Sequence, residues 1–302
     1  MILTVTLNAS LDVSYGVERL SQGDPVRVRD VSMRPGGKGI NVAMVLATLG
    51  TEVTATGLAG GHRGELIRER LAATDVHDAL VPIAAESRQT VVAVADDGSF
   101  AEYDEQGAGV SADDWETFLA VYRQLLGRCS AVVCAGSLPG GVPETAYATL
   151  VAAAHEAGRS VVLDAGGPAL AAGMETRPEI VKVNEAELAT LTRAEPSGQV
   201  VSHYAERTGG TVIVTLAGAG AIAAGEGWRY RVRPPHRSGN PVGAGDAFTA
   251  GLLADSLAGA APAERLAFAT AVAASAVGMP CAGTVDLGLV KELLDRVEVE
   301  PW

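Results

Sequence analysis

Aromatic residues are scarce, at 4% of 302, and cysteine occurs only three times. Cys129, Cys134 and Cys281 have no partner at a metal-ligand or redox spacing. That excludes a zinc ribbon and a disulfide framework, and it predicts reduced thiols in a cytosolic protein. The histidines, His62, His77, His155, His203 and His236, are scattered and form no zinc pattern with them. Positive charge is in deficit: the formal net charge is −13. Such a surface repels nucleic-acid phosphates and anionic lipid. An anionic substrate could bind only where cations gather locally. No run approaches the ~20 apolar residues of a membrane span. Residues 1–7 lack the basic flank of a secretory signal.

Several motifs are missing as well. No GxxxxGK[ST] string occurs, which argues against the P-loop kinases. No Gly-x-Ser-x-Gly elbow supports a serine nucleophile. The first strand is not followed by GxGxxG, so a dinucleotide-binding oxidoreductase is a weak option.

What is present is aliphatic: 48% of residues are apolar and 20% charged. Buried parallel strands read as such runs, which favours an α/β protein. Strands are predicted at 1–7, 53–58, 131–135, 161–164, 180–183 and 212–216. Helices are predicted from 40 to a stop at Gly50, and at 65–73, 115–126, 144–157, 246–258, 263–277 and 287–297. This alternation predicts a three-layer, doubly wound, mainly parallel sheet with helices on both faces. Segments 12–34 and 86–108 break the pattern. The second holds a hairpin turn, Asp96-Asp97-Gly98-Ser99, between 91–95 and 100–103. Both segments are predicted to form one small β-sheet lid beside a single domain spanning 1–302.

Four places could carry chemistry. In Asn240-Pro241-Val242-Gly243-Ala244-Gly245-Asp246, glycines precede a helical run. Free N–H groups and the helix dipole make such a start an anion site. Asp246 is either a helix-stabilising carboxylate or a general base beside a bound phosphoryl group. In Gly36-Gly37-Lys38-Gly39-Ile40-Asn41, glycines allow close approach to the backbone. Lys38 could neutralise a phosphate and Asn41 could bind hydroxyls; alternatively this is a loop with a solvated lysine. Ser137, in Gly136-Ser137-Leu138-Pro139, follows a strand and is either a ligand-binding hydroxyl or part of a plain turn. Asn184 and Glu187 share a helix face and could organise a hydrated Mg²⁺, or simply start a helix. Gly218-Ala219-Gly220 could admit a nucleotide or be an ordinary turn.

Taken together, NASLD (8–12), GGKGIN (36–41), GSLP (136–139), KVNEAEL (182–188), VTLAGAGA (214–221) and NPVGAGD (240–246) resemble the ribokinase-like (PfkB) carbohydrate kinases. The likeness is to the branch holding 1-phosphofructokinase and tagatose-6-phosphate kinase. It implies a ribokinase-like fold, a lid that forms a homodimer, ATP, Mg²⁺ and room for a monovalent cation. The net charge of −13 and the lack of a long apolar run predict no nucleic-acid or membrane partner. By the resemblance, Asp246 matches the base, and Gly243, Ala244 and Gly245 the anion hole. Asp12 and Asn41 match sugar-hydroxyl binders. Gly37, Lys38, Arg27, Arg88 and Ser137 match groups around the sugar and its phosphate, with Arg27, Lys38 and Arg88 expected to converge on that phosphate. Asn184 and Glu187 match the pair organising Mg²⁺, with Glu187 acting through water. Thr215, Gly218, Gly220 and Cys281 fall at the nucleotide. The sequence departs from the pattern at Ala9, Thr90, Val183, Ala217 and Cys281. The expected reaction is ATP-dependent phosphorylation of fructose 1-phosphate. Asn240-Pro241-Val242-Gly243 and EQG at 105–107 resemble tagatose-6-phosphate kinase instead. A non-catalytic sugar-phosphate sensor is the alternative of a different class.

Overall fold

The computed structural model describes residues 1–107, 109–192, 197–257 and 259–302. The chain opens with strands β1 (Ile2–Thr6), β2 (Ser10–Val17) and β3 (Val28–Gly36), then α1 (Lys38–Thr48), β4 (Val53–Gly60), α2 (Gly61–Leu71) and β5 (His77–Ile83). A hairpin of β6 (Arg88–Ala95) and β7 (Phe100–Asp104) precedes α3 (Ala112–Leu126). Next come β8 (Ala131–Ala135), α4 (Ala146–Glu156), β9 (Ser160–Asp164), α5 (Gly167–Met174), β10 (Ile180–Asn184) and α6 (Glu185–Thr192). After α7 (Gly198–Thr208) and β11 (Thr211–Thr215) the chain turns through β12 (Ala221–Gly225) and β13 (Trp228–Arg233). Helices α8 (Ala244–Leu257), α9 (Pro262–Ala276) and α10 (Leu287–Leu294) lead to β14 (Glu298–Pro301).

Among the described residues, ten strands form one sheet in the order β14-β13-β12-β11-β10-β9-β8-β1-β4-β5. From β11 to β5 neighbours run parallel; β12, β13 and β14 add antiparallel pairs at the other edge. Alternate residues of the central strands feed two different cores, as their period of two requires. Leu3, Val5, Val132 and Cys134 pack with Phe118, Tyr122 and Tyr147 on one face. Ile2, Val133 and Ala135 pack with Ile40, Ala250 and Ala271 on the other. A sheet covered on both faces accounts for the continuous aliphatic runs in the sequence.

Local chemistry sets the ends. Ser111 and Asp114 form a reciprocal capping box that starts α3. Gly50, with φ +80°, ends the α1 segment as expected. Strand β5 was not expected. It is an edge strand carrying Pro82 and exposed His77 and Asp78, so it lacks the aliphatic run that marks its neighbours. Helix α8 begins two residues before the expected start; the expected end, residue 258, lies outside the described residues.

The expected separate sheet is present, ordered β3-β2-β6-β7. Strands β2 and β6 pair in parallel, and the outer pairs are antiparallel. Leu11, Val13 and Val17 of β2 are buried, whereas Val28, Val31, Met33, Phe100 and Tyr103 are exposed. Residue 108, the expected end of this element, lies outside the described residues. Among the described residues, no helix is long and apolar enough to cross a membrane.

Candidate active site

The carboxyl ends of β1, β8, β10 and β11 open into one cleft of about 1640 Å³, with β2, β3, β6 and β7 along one side. A single drug-sized ligand occupies roughly 300–1,000 Å³, so this space suits two ligands side by side.

Asp246 lines it from the first turn of α8. Asn240 shapes the approach: its Oδ1 accepts from the Val242 N–H at 3.1 Å. Gly243 has φ +83°, and a Cβ there would fall 2.7 Å from the Ala282 Cβ, so only glycine fits. Of the three expected anion-hole amides, that of Ala244 donates to the Pro241 carbonyl at 3.1 Å. The first helical bond runs from Ala247 N–H to Gly243 O. The N–H groups of Gly245 and Asp246 therefore belong to the part of the turn that helix geometry leaves without internal partners.

Asp246 is 7% exposed and accepts a 2.8 Å bond from Asn41 Nδ2. Burial and the neighbouring Asp164 carboxylate push its pKa up to about 6, against the pull of Lys182, Lys38 and Asn41. Asn41 Oδ1 is buried with no protein partner. A buried acceptor without a donor is costly unless a ligand supplies one.

Beneath Asp246 runs a chain of charges. Lys38 Nζ lies 2.9 Å from Asp164 Oδ1 and 2.8 Å from Glu187 Oε1. Lys182 Nζ lies 2.8 Å from Asp164 Oδ2, and the Thr249 hydroxyl donates to the same oxygen at 3.2 Å. Burial alone would raise Asp164, but Lys182 and Lys38 outweigh it and hold the pKa at about 2. Burial opposes the charge on Lys38, but Asp164, Glu187 and Asp246 reverse that effect and raise its pKa. A Cβ on Gly245 would sit 2.9 Å from Lys182 Nζ, so this ammonium underlies the glycine turn.

Asn184 and Glu187 satisfy each other: Asn184 N–H donates to Glu187 Oε2, and Glu187 N–H to Asn184 Oδ1, both at 2.8 Å. They are thus a helix cap as well as cleft residues. Among the described residues no group of three His, Cys, Asp or Glu side chains could hold a metal. A divalent ion therefore fits only with most ligands from phosphate oxygens and water, the usual preference of Mg²⁺.

At the small-sheet end, Asp12 accepts from the Ser10 hydroxyl at 2.6 Å. Burial raises its pKa to about 6, with Ser10 and Arg88 pulling down and Asp104 and Glu102 pushing up. A Cβ on Gly36 would lie 2.0 Å from this carboxylate. Arg88 donates to the Asn8 carbonyl at 3.1 Å, to Asp104 at 3.0 Å and to Thr90 at 3.2 Å. Ser137 Oγ accepts from Asn8 Nδ2 at 3.0 Å. Gly37, with φ +100°, also lines the cleft.

The expected trio of cations is not gathered. Lys38 and Arg88 line the cleft, but Lys38 is held by Asp164 and Glu187, and Arg88 by Asp104. Arg27 is exposed and lies outside the cleft lining; Arg34 lines it instead. Arg27 directly precedes β3, an edge strand of the small sheet, and its side chain is exposed there.

At the other end, Thr215, Gly218, Gly220 and Cys281 line the cleft with Phe248, Ala273, Ala274 and Val277. Gly220 has φ +93°, and a Cβ there would meet the Val232 carbonyl at 1.9 Å, so packing against β13 alone demands glycine. Sequence reasoning overlooked Asp164, Lys182, Arg34, Asp104 and Thr249. The signal for two of them was available, since a charge in a fully buried aliphatic strand needs a partner.

The pfkB family of carbohydrate kinases matches residues 5–286. A possible 1-phosphofructokinase from Thermotoga maritima has a similar structure, with TM-score 0.92, 27% identity, and 100% of this chain and 99% of that one covered. Phosphofructokinase-2 from Escherichia coli, seen with substrates and products, gives TM-score 0.90, 27% identity and 98% coverage of both chains. A ribokinase from Thermotoga maritima, at 19% identity and TM-score 0.76 over 97% of this chain and 99% of that one, shares the fold.

Proposed function

Because the chain belongs to the pfkB family of carbohydrate kinases, we propose that it transfers the γ-phosphoryl group of ATP to a hydroxyl of a ketohexose monophosphate, fructose 1-phosphate first among them. The observation that carries this reading is Asp246. It is a buried carboxylate at a helix start, hydrogen-bonded to Asn41 and bordered by two ammonium groups. The acceptor oxygen attacks the γ-phosphorus, its proton passes to the Asp246 carboxylate, and the bond to the β-phosphate oxygen breaks to leave ADP. The first-turn N–H groups of α8 and the Lys182 ammonium face the charge that spreads over the transferring group. Phosphoryl transfer needs little beyond such alignment and charge stabilisation. Mg²⁺, when bound, neutralises phosphate charge, and Glu187 and Asn184 are the residues that would hold it through water.

Asp12, Asn41 and Ser137 are assigned to the sugar, Arg88 and Arg34 to its phosphate, and Thr215, Gly218, Gly220 and Cys281 to the nucleotide. The small sheet acts as a lid. Its exposed Val28, Val31, Met33, Phe100 and Tyr103 suit a homodimer formed through that face. Potassium is present in one structure of the Escherichia coli relative, which supports a monovalent-cation requirement here. Three free, buried cysteines suit the cytosol.

One experiment tests the reading. A coupled ADP assay compares fructose 1-phosphate, tagatose 6-phosphate, fructose 6-phosphate and the free sugars. Turnover with fructose 1-phosphate well above the rest is expected. Preference for tagatose 6-phosphate would move the assignment within the family, and no turnover with any sugar would leave a sensor.

A further inference from the structure

Asp164 and Glu187 come from different elements, the end of β9 and the first turn of α6, yet each puts one oxygen on the same nitrogen. Their other oxygens are committed: Asp164 Oδ2 to Lys182 and Thr249, Glu187 Oε2 to the Asn184 N–H. The Lys38 ammonium therefore completes the coordination of both carboxylates. Its stem has a fixed origin. Lys38 is the first residue of α1, after a Gly37 whose φ is +100° and whose Cβ, if present, would strike Thr6 Cγ2 at 2.6 Å. Gly136 passes close by: a Cβ there would sit 3.8 Å from the Lys38 Cβ.

Charge decides what this arrangement does. Asp164, Glu187 and Asp246 face Lys38 and Lys182, which leaves one excess negative charge. Without Lys38 there would be two, in a protein of net charge −13. Two carboxylate oxygens held within 2.9 Å of one ammonium form a pair of anionic ligands that a divalent ion, with its shorter metal–oxygen bonds, would draw together and complete with water.

We propose that Lys38 is an internal counter-ion, a positioning residue that fills the gap between Asp164 and Glu187 and keeps a bare divalent cation from settling there until a nucleotide brings its own phosphate oxygens. The nucleotide half rests on the kinase reading above. The counter-ion half does not, and it replaces the expectation that Lys38 serves the sugar phosphate. A divalent ion held early by Asp164 would neutralise the carboxylate that anchors Lys182 beneath the glycine turn. Excluding it keeps the turn's cation in place.

The test is Mn²⁺ binding to the full-length protein without nucleotide, followed by the electron paramagnetic resonance signal of free Mn²⁺. The wild-type protein should show no site tighter than about 1 mM. Lys38→Met should create one site at least about tenfold tighter, since a cation within contact distance of another costs several kcal/mol even at moderate dielectric. Lys38→Arg should behave as wild type, and Glu187→Gln added to Lys38→Met should abolish the new site. Lys38→Gln gives a second neutral variant should the methionine protein misfold. A wild-type site tighter than about 1 mM, or neutral variants that bind no better than wild type, would overturn the proposal. No turnover is read, so a failure of the kinase reading shows in the ADP assay and leaves this result standing.

Discussion

Asn41 gives its Nδ2 hydrogen to Asp246 Oδ2 at 2.8 Å, while its own Oδ1 stays buried with no protein partner. One side chain thus holds the proposed base and keeps a free acceptor for a hydroxyl beside it. Asn41→Ala should remove both. The acceptor's KM should rise with little change in that for ATP. Losing a donor to the carboxylate also favours the neutral acid, so the acid limb of kcat/KM should move to higher pH. An unchanged limb would separate Asn41 from the base.

Asp246→Asn tests the base itself. A positioned base contributes roughly 10²–10⁴-fold, and kcat should fall by that range. ATP affinity, read by equilibrium binding, should be nearly unchanged. Turnover close to wild type would refute the assignment.

The same carboxylate sets a pH dependence in two opposite directions. Its pKa is about 6, against 3.8 for the unperturbed group. As the proposed base Asp246 must be charged to act, so kcat/KM should decline below about pH 6, with Asp12 titrating in the same range. Stability runs the other way. A raised pKa means that the folded state holds the proton more tightly than the unfolded chain. The favourable contribution is complete below about pH 4 and disappears as pH rises through 6. Asp246→Asn should therefore stabilise the protein at pH 8 by up to about 3 kcal/mol, with the gain vanishing toward pH 4. Urea unfolding at the two pH values measures it.

The cleft's two ends differ in how far the sequence revealed them. Repeated β and α segments and the aliphatic strands made the three-layer sheet readable, because burial on both faces leaves no polar alternation. The glycine turn before Asp246 was readable because a left-handed backbone and a helix start both leave marks in sequence. Edge strand β5 was not readable, since one exposed side and Pro82 erase the pattern. Nor was the fate of the cations: sequence gives a lysine's charge but not which carboxylate reaches it. Resemblance groups Lys38 and Arg27 with Arg88, and only the folded chain shows that Asp164 holds the first while the second is exposed.

Arg88, the proposed phosphate ligand, is already held by Asp104 at 3.0 Å, with Glu102 nearby. If the acceptor carries a phosphate, Arg88→Ala should weaken it by roughly 2–5 kcal/mol and spare ATP. Asp104→Asn should act oppositely, freeing the guanidinium and lowering the KM of the phosphorylated acceptor. Equal effects on phosphorylated and plain sugars would remove the phosphate from this end of the cleft.

Lys182 offers a test of the charges beneath the turn that needs no substrate. It is 3% exposed and pairs with an Asp164 that is fully buried. Removing one partner of a buried pair typically costs about 3–5 kcal/mol, because the survivor keeps its desolvation penalty. Lys38 and Thr249 still bind Asp164, so Lys182→Met should fall near the lower end, about 3 kcal/mol. Asp164 holds a lowered pKa of about 2, so its contribution is present above pH 4 and lost as pH falls through 2. In the variant that pKa rises, the carboxylate takes up a proton sooner, and the loss of stability should shrink between pH 7 and pH 4. Asp164→Asn added to Lys182→Met should recover part of it at pH 7, since no unpaired charge then remains. A penalty that is the same at both pH values, and unrelieved by the second change, would mean that Lys182 matters for its packing and not for its charge.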